Sequence, residues 1–592
     1  MFRKYFYLVC CSLTICQRAF AANEFETVVT ATRQLEPLSA LFVPVSEENA
    51  PPSYPWMALA QSGVSASPSA GALSFGSIRY RGFSSSQLRI LVDGYDFADV
   101  GTGLFNAYDL PLFGTDQFEL SPGATDNALG GSLKLELKVP KDFSAKARGS
   151  FGSYGFGLVD MVVATGDVGN SKALMGLQLA SSRGDYAISG VPRLNNDQSR
   201  MMGFFKSEHS LKDADLEFFV FGRQQEGGLA GPATFPTPHS RLLSQKLLFG
   251  TSLFWEVGSF PMKIKFQSRF DRNESSDETR TDNVAFLDNS LSFSVERKVE
   301  LADTYSALES SIGQSQVLDG RFRRLSTRHG LSFDTAPFSF WSMRFKRAFG
   351  IEAHSDAGWF LYFATNISSK PLDPLTLGVR FGRNSRVPTL SEMYAPSGLI
   401  LGNPELEPEK IHDGSLYAIY DVNDKLKLNL EIYYAQMTKA IFYVNRNSYL
   451  VEPINADHVR RGGIGFSMRY RPNDLFETNM RVDVLATQIE ETKAPLPGAT
   501  PFALSIDGRV GKEKGIFSRF SVIANAGSSS NLFGTLNTKP YSLVNASLHI
   551  PLHDHARVVF SATNLFDVTW AKTAYHYPMP GREFFVTLEA SS

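Results

Sequence analysis

Cysteine is nearly missing from this 592-residue chain: Cys10, Cys11 and Cys16 are all it has, within its first sixteen residues. The body of the protein therefore has no disulfide staple, no thiolate metal site and no cysteine nucleophile. A surplus of charge is missing too. The 58 basic residues face 60 acidic ones and no long basic run occurs, so nothing favours binding nucleic acid through its phosphates. No stretch reaches the roughly 18 consecutive apolar residues of a membrane-spanning helix, which excludes a helical membrane protein. A Gly-x-Ser-x-Gly elbow, a paired-histidine metal site and a phosphate loop are also absent. We assign no catalytic residue, no resident metal and no cofactor.

What the chain does have begins with a leader. Arg3 and Lys4 precede an apolar stretch from Tyr5 to Ile15, and Ala19-Phe20-Ala21 offers a small-x-small cleavage site. Residues 1–21 read as a secretory signal, and all three cysteines leave with it. An uncleaved apolar anchor is the competing reading. A lipoprotein signal fits less well, because Ile15 before Cys16 is larger than the small residue usual there.

Segments that alternate apolar and polar positions fill the chain from about residue 142 onward. Leu426, Leu428, Leu430, Ile432 and Tyr434 share one face, against Lys427, Asn429, Glu431 and Tyr433 on the other. Met262, Ile264, Phe266 and Phe270 oppose Lys263, Lys265, Gln267 and Arg269 in the same way. Phe502, Leu504 and Ile506 oppose Ser505, Asp507 and Arg509, and Val558, Phe560 and Ala562 oppose Arg557, Ser561 and Thr563. A strand has a period of two, so each segment carries one apolar and one polar face.

The connections add a second pattern. Short ones, at Asp167–Ser171, Gly258–Pro261, Val422–Lys425 and Leu552–His555, alternate with long ones at 185–198, 225–240, 272–287, 385–408, 440–457, 488–500 and 565–582. Segmentation gives about 22 strands, arranged as in an up-and-down barrel with turns at one end and loops at the other. A soluble barrel would point its apolar face inward around a packed core. Here the inner face would carry lysine, arginine and glutamate, which only a wide polar lumen tolerates. The expected fold is thus an all-β membrane protein, a 22-stranded antiparallel transmembrane β-barrel in the outer membrane of a Gram-negative cell. Length alone, at the usual domain size, suggests about four domains; the barrel reduces that to two.

A lumen of that width needs filling, and residues 22–141 precede the first barrel strand. They contain Ile78-Arg79-Tyr80-Arg81-Gly82-Phe83, Leu91-Val92-Asp93-Gly94, Pro111-Leu112 through Phe118-Glu119-Leu120, and Ala128-Leu129-Gly130-Gly131 followed by alternating Leu133, Leu135 and Leu137. Arg81-Gly82 and Asp93-Gly94 each end a β-prone run, where glycine supplies a turn conformation other residues resist. Arg79, Arg81, Arg89 and Asp93 are expected to pair with the polar wall. In order and spacing these strings resemble the plug domain of TonB-dependent outer-membrane receptors. Val387-Pro388 with Gly402-Asn403-Pro404-Glu405-Leu406-Glu407-Pro408-Glu409-Lys410 is similar to that family's signature loop. Asn564-Leu565-Phe566-Asp567 and Pro580-Gly581-Arg582-Glu583-Phe584 are similar to its C-terminal pattern.

The resemblance implies 22–36 as a TonB-box segment, 37–141 as an α+β plug in the lumen and 142–592 as the barrel. Glu26, Thr27, Val28, Val29, Thr30 and Ala31 resemble the TonB box, which adds as a strand to the edge of its partner's sheet. The implied activity is import of a scarce, large nutrient by energy-coupled opening of the plug. The implied partners are TonB, outer-membrane lipid and the nutrient, with the receptor a monomer. Cobalamin and siderophore receptors are the most similar group; a carbohydrate ligand or a passive porin are the alternatives. The outward plug loops fall at about 68–77 and 96–106, with Phe75, Phe97, Asp99, Leu104 and Phe105 as contact candidates, although each taken singly is better suited to packing plug against wall. Asp185, Asn195, Asn196 and Asp197 are too few, beside a single Glu226, for the acidic cluster of a calcium-assisted cobalamin site. No histidine lies between Pro388 and Asn403, where haem receptors place one. The chain also departs from the family pattern in having Ser121-Pro122-Gly123 where Arg-Gly-Pro is usual, and in ending on Leu588-Glu589-Ala590-Ser591-Ser592 without a terminal aromatic residue.

Overall fold

The computed structural model describes residues 41–592 apart from 45–49, 69–70, 116, 125–127, 189, 232–235, 259, 279–280, 300–303, 319–321, 336–342, 395–400, 446–450 and 574–575. The leader at 1–21 and the segment Glu26–Ala31 lie outside the described residues.

Twenty-two antiparallel strands form one closed barrel, from Ser144–Gly152 round to Glu583–Ser591, with Phe585 opposite Gly152 at the seam. The two-residue period explains why these segments pair this way. Leu430, Ile432 and Tyr434 point outward and are about half exposed, whereas Glu431 between them is 6% exposed and faces the lumen. Phe560, Val586 and Leu588 likewise form an outward apolar surface, while Thr587 beside them is buried. The connections at 165–170, 424–425 and 554–555 are the turns expected from sequence.

Two of the expected long loops are strand instead. Phe260–Ser276 pairs with Thr281–Val299 across 272–287, and Leu426–Asn445 pairs with Val451–Asn473 across 440–457. In the first, Arg272, Asn273, Glu274 and Ser275 put polar residues on both faces; in the second, Ile441, Phe442, Tyr443 and Val444 put apolar ones on both. Without a lipid-facing side there is no alternation to read. Two other loops hold structure: the small hairpin Ala187–Ile188 with Val191–Pro192, and the short helix Leu390–Tyr394.

The N-terminal region lies inside the barrel. A mixed five-stranded sheet runs in the order Leu41–Pro44, Gln117–Pro122, Gly131–Leu135, Arg89–Val92, Tyr95–Asp96, and only the Arg89–Val92 and Gly131–Leu135 pair is parallel. A three-stranded sheet of Val64–Pro68, Gly76–Tyr80 and Phe83–Ser84 follows the 3-10 helix Pro55–Ser62. Arg81-Gly82 and Asp93-Gly94 are consecutive left-handed pairs, with φ of 51° and 75° and of 50° and 76°, as a tight hairpin turn requires. One apolar core joins plug to wall: Tyr80, Tyr95, Phe97, Phe118, Leu133 and Leu135 pack with Phe204, Phe219 and Phe221 of the barrel.

Candidate functional site

The site is the contact between plug and barrel, together with the mouth above it on the side of the longer connections. Its most regular element follows from two alternating segments set side by side. Strand Phe260–Ser276 turns Lys265, Gln267, Arg269 and Asp271 into the lumen, where they meet plug residues 94–100. Lys265 Nζ donates to the Gly94 carbonyl at 2.7 Å. Gln267 exchanges bonds with both backbone groups of Asp96, at 3.1 and 2.8 Å. Arg269 donates to the Ala98 carbonyl at 3.0 Å, and Asp271 accepts from the Val100 amide at 2.9 Å. Every partner is offset by the same 171 positions. The wall thus reads the plug's backbone one pleat at a time.

Charged pairs tie the rest. Arg81 forks onto Glu431, Nη1 to Oε1 at 3.1 Å and Nη2 to Oε2, with both side chains buried. Glu431 also receives Arg380 at 3.3 Å, and Asp413 beside it accepts from the Ala124 amide at 3.1 Å. Arg380 is a wall residue that packs against Gly123, so the guanidinium next to Ser121-Pro122-Gly123 comes from the barrel and not the plug. Gln87 donates to Glu409, Arg79 to the Pro497 carbonyl, and Lys206 pairs with Asp93 at 3.1 Å. Arg89 lies 3.9 Å from Asp96, within the plug.

Asp109 is held by two wall arginines, Arg200 at 3.3 Å and Arg223 at 3.2 Å. Burial alone would push its carboxyl up. Arg223 and Arg200 outweigh burial and hold it below the ordinary aspartate value. Asp96 behaves the same way, with burial opposed by Arg269 and then Arg89.

The five plug-apex candidates fall into two groups. Phe97 and Phe105 are wholly buried; the Phe97 ring lies 4.7 Å from that of Phe221. Phe75, Asp99 and Leu104 are partly exposed. Asp99 shapes its own turn: one carboxylate oxygen accepts from the Gly101 amide, the Thr102 amide and the Thr102 hydroxyl at 3.0, 2.8 and 2.9 Å. The stretch containing Phe75 joins this apex through Gly76, whose amide donates to Asn106 at 3.0 Å.

The helix Leu390–Tyr394 lies over the apex. Its Ser391 amide donates to the Gly101 carbonyl at 2.9 Å, and Leu390 is buried with Phe286, Val317 and Val100. Gly101 has to be glycine, because a Cβ there would sit 2.3 Å from the Phe286 ring. Arg386 anchors the base of the helix on Glu392 at 3.0 and 3.1 Å and also on Glu409. The far end rests on two connections opposite. Tyr394 stacks on Phe322, centroids 4.1 Å apart and planes within 8°. Arg324 holds Asp356 at 2.9 Å and reaches Met393 Sδ at 3.1 Å. Sequence reading missed this arrangement, because Phe322, Asp356 and Tyr394 share no motif or spacing.

The two acids of loop 185–198 face arginines. Asp197 pairs with Arg241 at 2.7 Å, Asp185 lies 3.7 Å from Arg183, and Asn195 and Asn196 donate to backbone carbonyls. Among the described residues no group of three or more His, Cys, Asp or Glu is placed to hold a metal ion.

Comparison with known proteins agrees with this architecture. Solved structures sharing the fold include the siderophore receptor PirA from Acinetobacter baumannii, with a TM-score of 0.79 at 11% identity over 94% of this chain and 98% of that one. The ferric enterobactin receptor PfeA from Pseudomonas aeruginosa, in complex with enterobactin, gives 0.79 at 13% identity over 94% and 99%. In sequence, the vitamin B12 transporter BtuB of Vibrio cholerae is 27% identical over 210 residues, which is 32% of this chain. That match spans 33% of the relative's length. The family described as TonB dependent receptor-like, beta-barrel, matches residues 79–565, most of the chain. The protein belongs to this family of plugged outer-membrane β-barrels.

Proposed function

We propose that the protein imports a scarce, large nutrient, a metal chelate such as a ferric siderophore or cobalamin, by TonB-driven opening of the plug. The observation that carries this reading is the plug itself. Its strands fill the lumen and are tied to the wall by the Gly94–Val100 ladder, by Arg81 on Glu431 and by Asp109 between two arginines. A passive porin has no use for such a stopper, and thermal motion does not remove one held by several buried ion pairs. The outer membrane has neither ATP nor an ion gradient of its own, so the work must arrive through a periplasmic partner. The segment Glu26–Ala31 is the proposed handle, offering main-chain hydrogen bonds to the edge of TonB's sheet. Ligand would settle on the apex around Phe75, Asp99 and Leu104, with Phe97 and Phe105 fixing that apex from beneath.

Metal chelates are favoured because the similar structures include siderophore receptors and the sequence relative is a cobalamin transporter. Deleting residues 24–32 tests the coupling. Binding to whole cells should persist while accumulation of the chelate stops; accumulation that survives the deletion sinks the proposal.

A further inference from the structure

The seats that receive the plug's charges on the wall are of two kinds. Glu431 takes Arg81 of the plug but also Arg380 of the wall, at 3.3 Å. Lys206 meets Asp93 at 3.1 Å and has Glu208 and Glu217 of the wall at 3.3 and 3.8 Å. Arg269 meets Asp96 at 3.2 Å and Asp288 of the wall at 2.9 Å. Each of these wall charges keeps a partner when the plug is taken away. The seat of Asp109 does not. Arg200 and Arg223 come from the adjacent strands Gln198–Ser210 and Ala214–Gly228, with Arg223 opposite Met202, one pleat along from Arg200. Both guanidinium groups touch Asp109, and among the described residues no other acid lies within 4.0 Å of either. Their side chains are almost wholly buried, at 1% and 6% exposure. Arg223 also donates to the Ser244 carbonyl at 2.9 Å. Arg200 Nη2 reaches the Tyr108 carbonyl and Met202 Sδ, while its Nε and Nη1 have no hydrogen-bond partner among the described residues. One carboxylate thus answers two cations, and donors are left over even with the plug in place.

From this contrast we infer that Arg200 and Arg223 are an oxyanion site on the wall of the opened passage. Asp109 fills it while the plug is seated, and a carboxylate or phosphate group of a passing solute fills it once Asp109 is withdrawn. This rests on the reading that import withdraws the plug, and adds what the passage behind it holds. Two guanidinium groups one pleat apart offer several N–H donors to one oxyanion, and such charge-assisted bonds are stronger than neutral ones. Without an anion the pair repels itself, because no wall carboxylate stands in for Asp109. A charged pair lining a narrow path also raises the local concentration of the opposite ion, and so selects among solutes by sign. The seats of Arg81, Asp93 and Asp96 do not act in this way, since each closes on its own wall partner.

The experiment places the full-length protein in planar bilayers and releases the plug with urea. Met202→Cys, in a chain otherwise free of cysteine, marks the release. Met202 is 1% exposed and touches Arg200, so the cysteine should take a maleimide only after Asp109 has left. Currents are compared at urea concentrations where it labels and circular dichroism shows the barrel still folded. At low ionic strength the wild-type channel should favour chloride over potassium about tenfold more than Arg200→Gln combined with Arg223→Gln. Inorganic phosphate should block the wild-type current and not that of the double variant. Asp109→Asn leaves the pair intact, so it should open at lower urea and keep both the preference and the block. Equal ion preference in wild type and double variant overturns the inference, as does phosphate acting alike on both. Unfolding of the barrel before Met202→Cys can be labelled also overturns it, because Asp109 then never leaves its seat alone. If any of these occurs while import still needs residues 24–32, the anion site falls and the energy-coupled reading stands.

Discussion

Arg81 of the plug and Glu431 of the wall meet fork to fork, each almost wholly withdrawn from water, and Tyr433 lies 4.2 Å beneath the guanidinium. Burying two charges is costly, but removing one of them is worse, because its partner is left buried and alone. Arg81→Ala or Glu431→Ala should destabilise the seated plug by about 3–5 kcal/mol. Protease accessibility of the plug in intact outer membranes should rise, and the bacteria should become more sensitive to bulky antibiotics. Arg81→Lys should rescue little, since an ammonium cannot fork onto both carboxylate oxygens.

Asp271 and the Val100 amide make the last rung of the wall ladder. Asp271→Ala leaves that amide without its acceptor, a loss of about 1–3 kcal/mol if it stays buried. Hydrogen exchange at Val100 should accelerate, while exchange in the plug strand Gly131–Leu135 should not. Acceleration across the whole plug would mean that the rung supports the domain rather than its apex.

Acid should loosen the plug through Asp109. Its carboxyl titrates below the ordinary 3.8 in the folded protein. Its contribution to stability is thus complete above 3.8 and is lost as pH falls through the lower folded value. Plug retention, followed by protease protection between pH 5 and 2, should show a transition that Asp109→Asn flattens. The Asn variant should be less stable than wild type at neutral pH and nearly equal to it at the acid end.

Adjacent residues on one strand give an internal control for the orientation of the wall. Phe560 faces outward and Ser561 turns inward. Phe560→Arg places a charge in lipid and should cost about 2–4 kcal/mol near the bilayer midplane, whereas Ser561→Arg should cost much less. Urea unfolding in lipid vesicles measures both, and equal costs would contradict the assignment of faces.

The barrel was legible from sequence because lipid on one side and water on the other impose a two-residue period on every strand. Leu430, Glu431 and Ile432 show this directly. Where strands leave the bilayer the constraint ends, and Arg272 to Ser276 read as loop although they are paired. The turns at Arg81-Gly82 and Asp93-Gly94 were legible because left-handed backbone demands particular residues. The plug's ties to its wall were only half legible. Arg81 and Asp93 could be expected to find partners, but nothing local names Glu431 or Lys206 as those partners. Arg380 supplies from the wall a charge that a plug motif would have advertised. The stack of Tyr394 on Phe322, which joins two distant segments, leaves no trace in either of them.

The constant offset between strand Phe260–Ser276 and plug residues 94–100 bears on how such a receptor can change. The wall spends its side chains largely on the plug's backbone, and of the side chains at positions 94, 96, 98 and 100 the grip also takes those of Asp96, paired with Arg269, and Val100, packed with Phe286. Substitution elsewhere at the apex can therefore retune what is recognised outside without releasing the stopper. One residue inserted into the wall strand would instead turn Lys265, Gln267, Arg269 and Asp271 toward lipid together. Variation is cheap on one side of the contact and ruinous on the other.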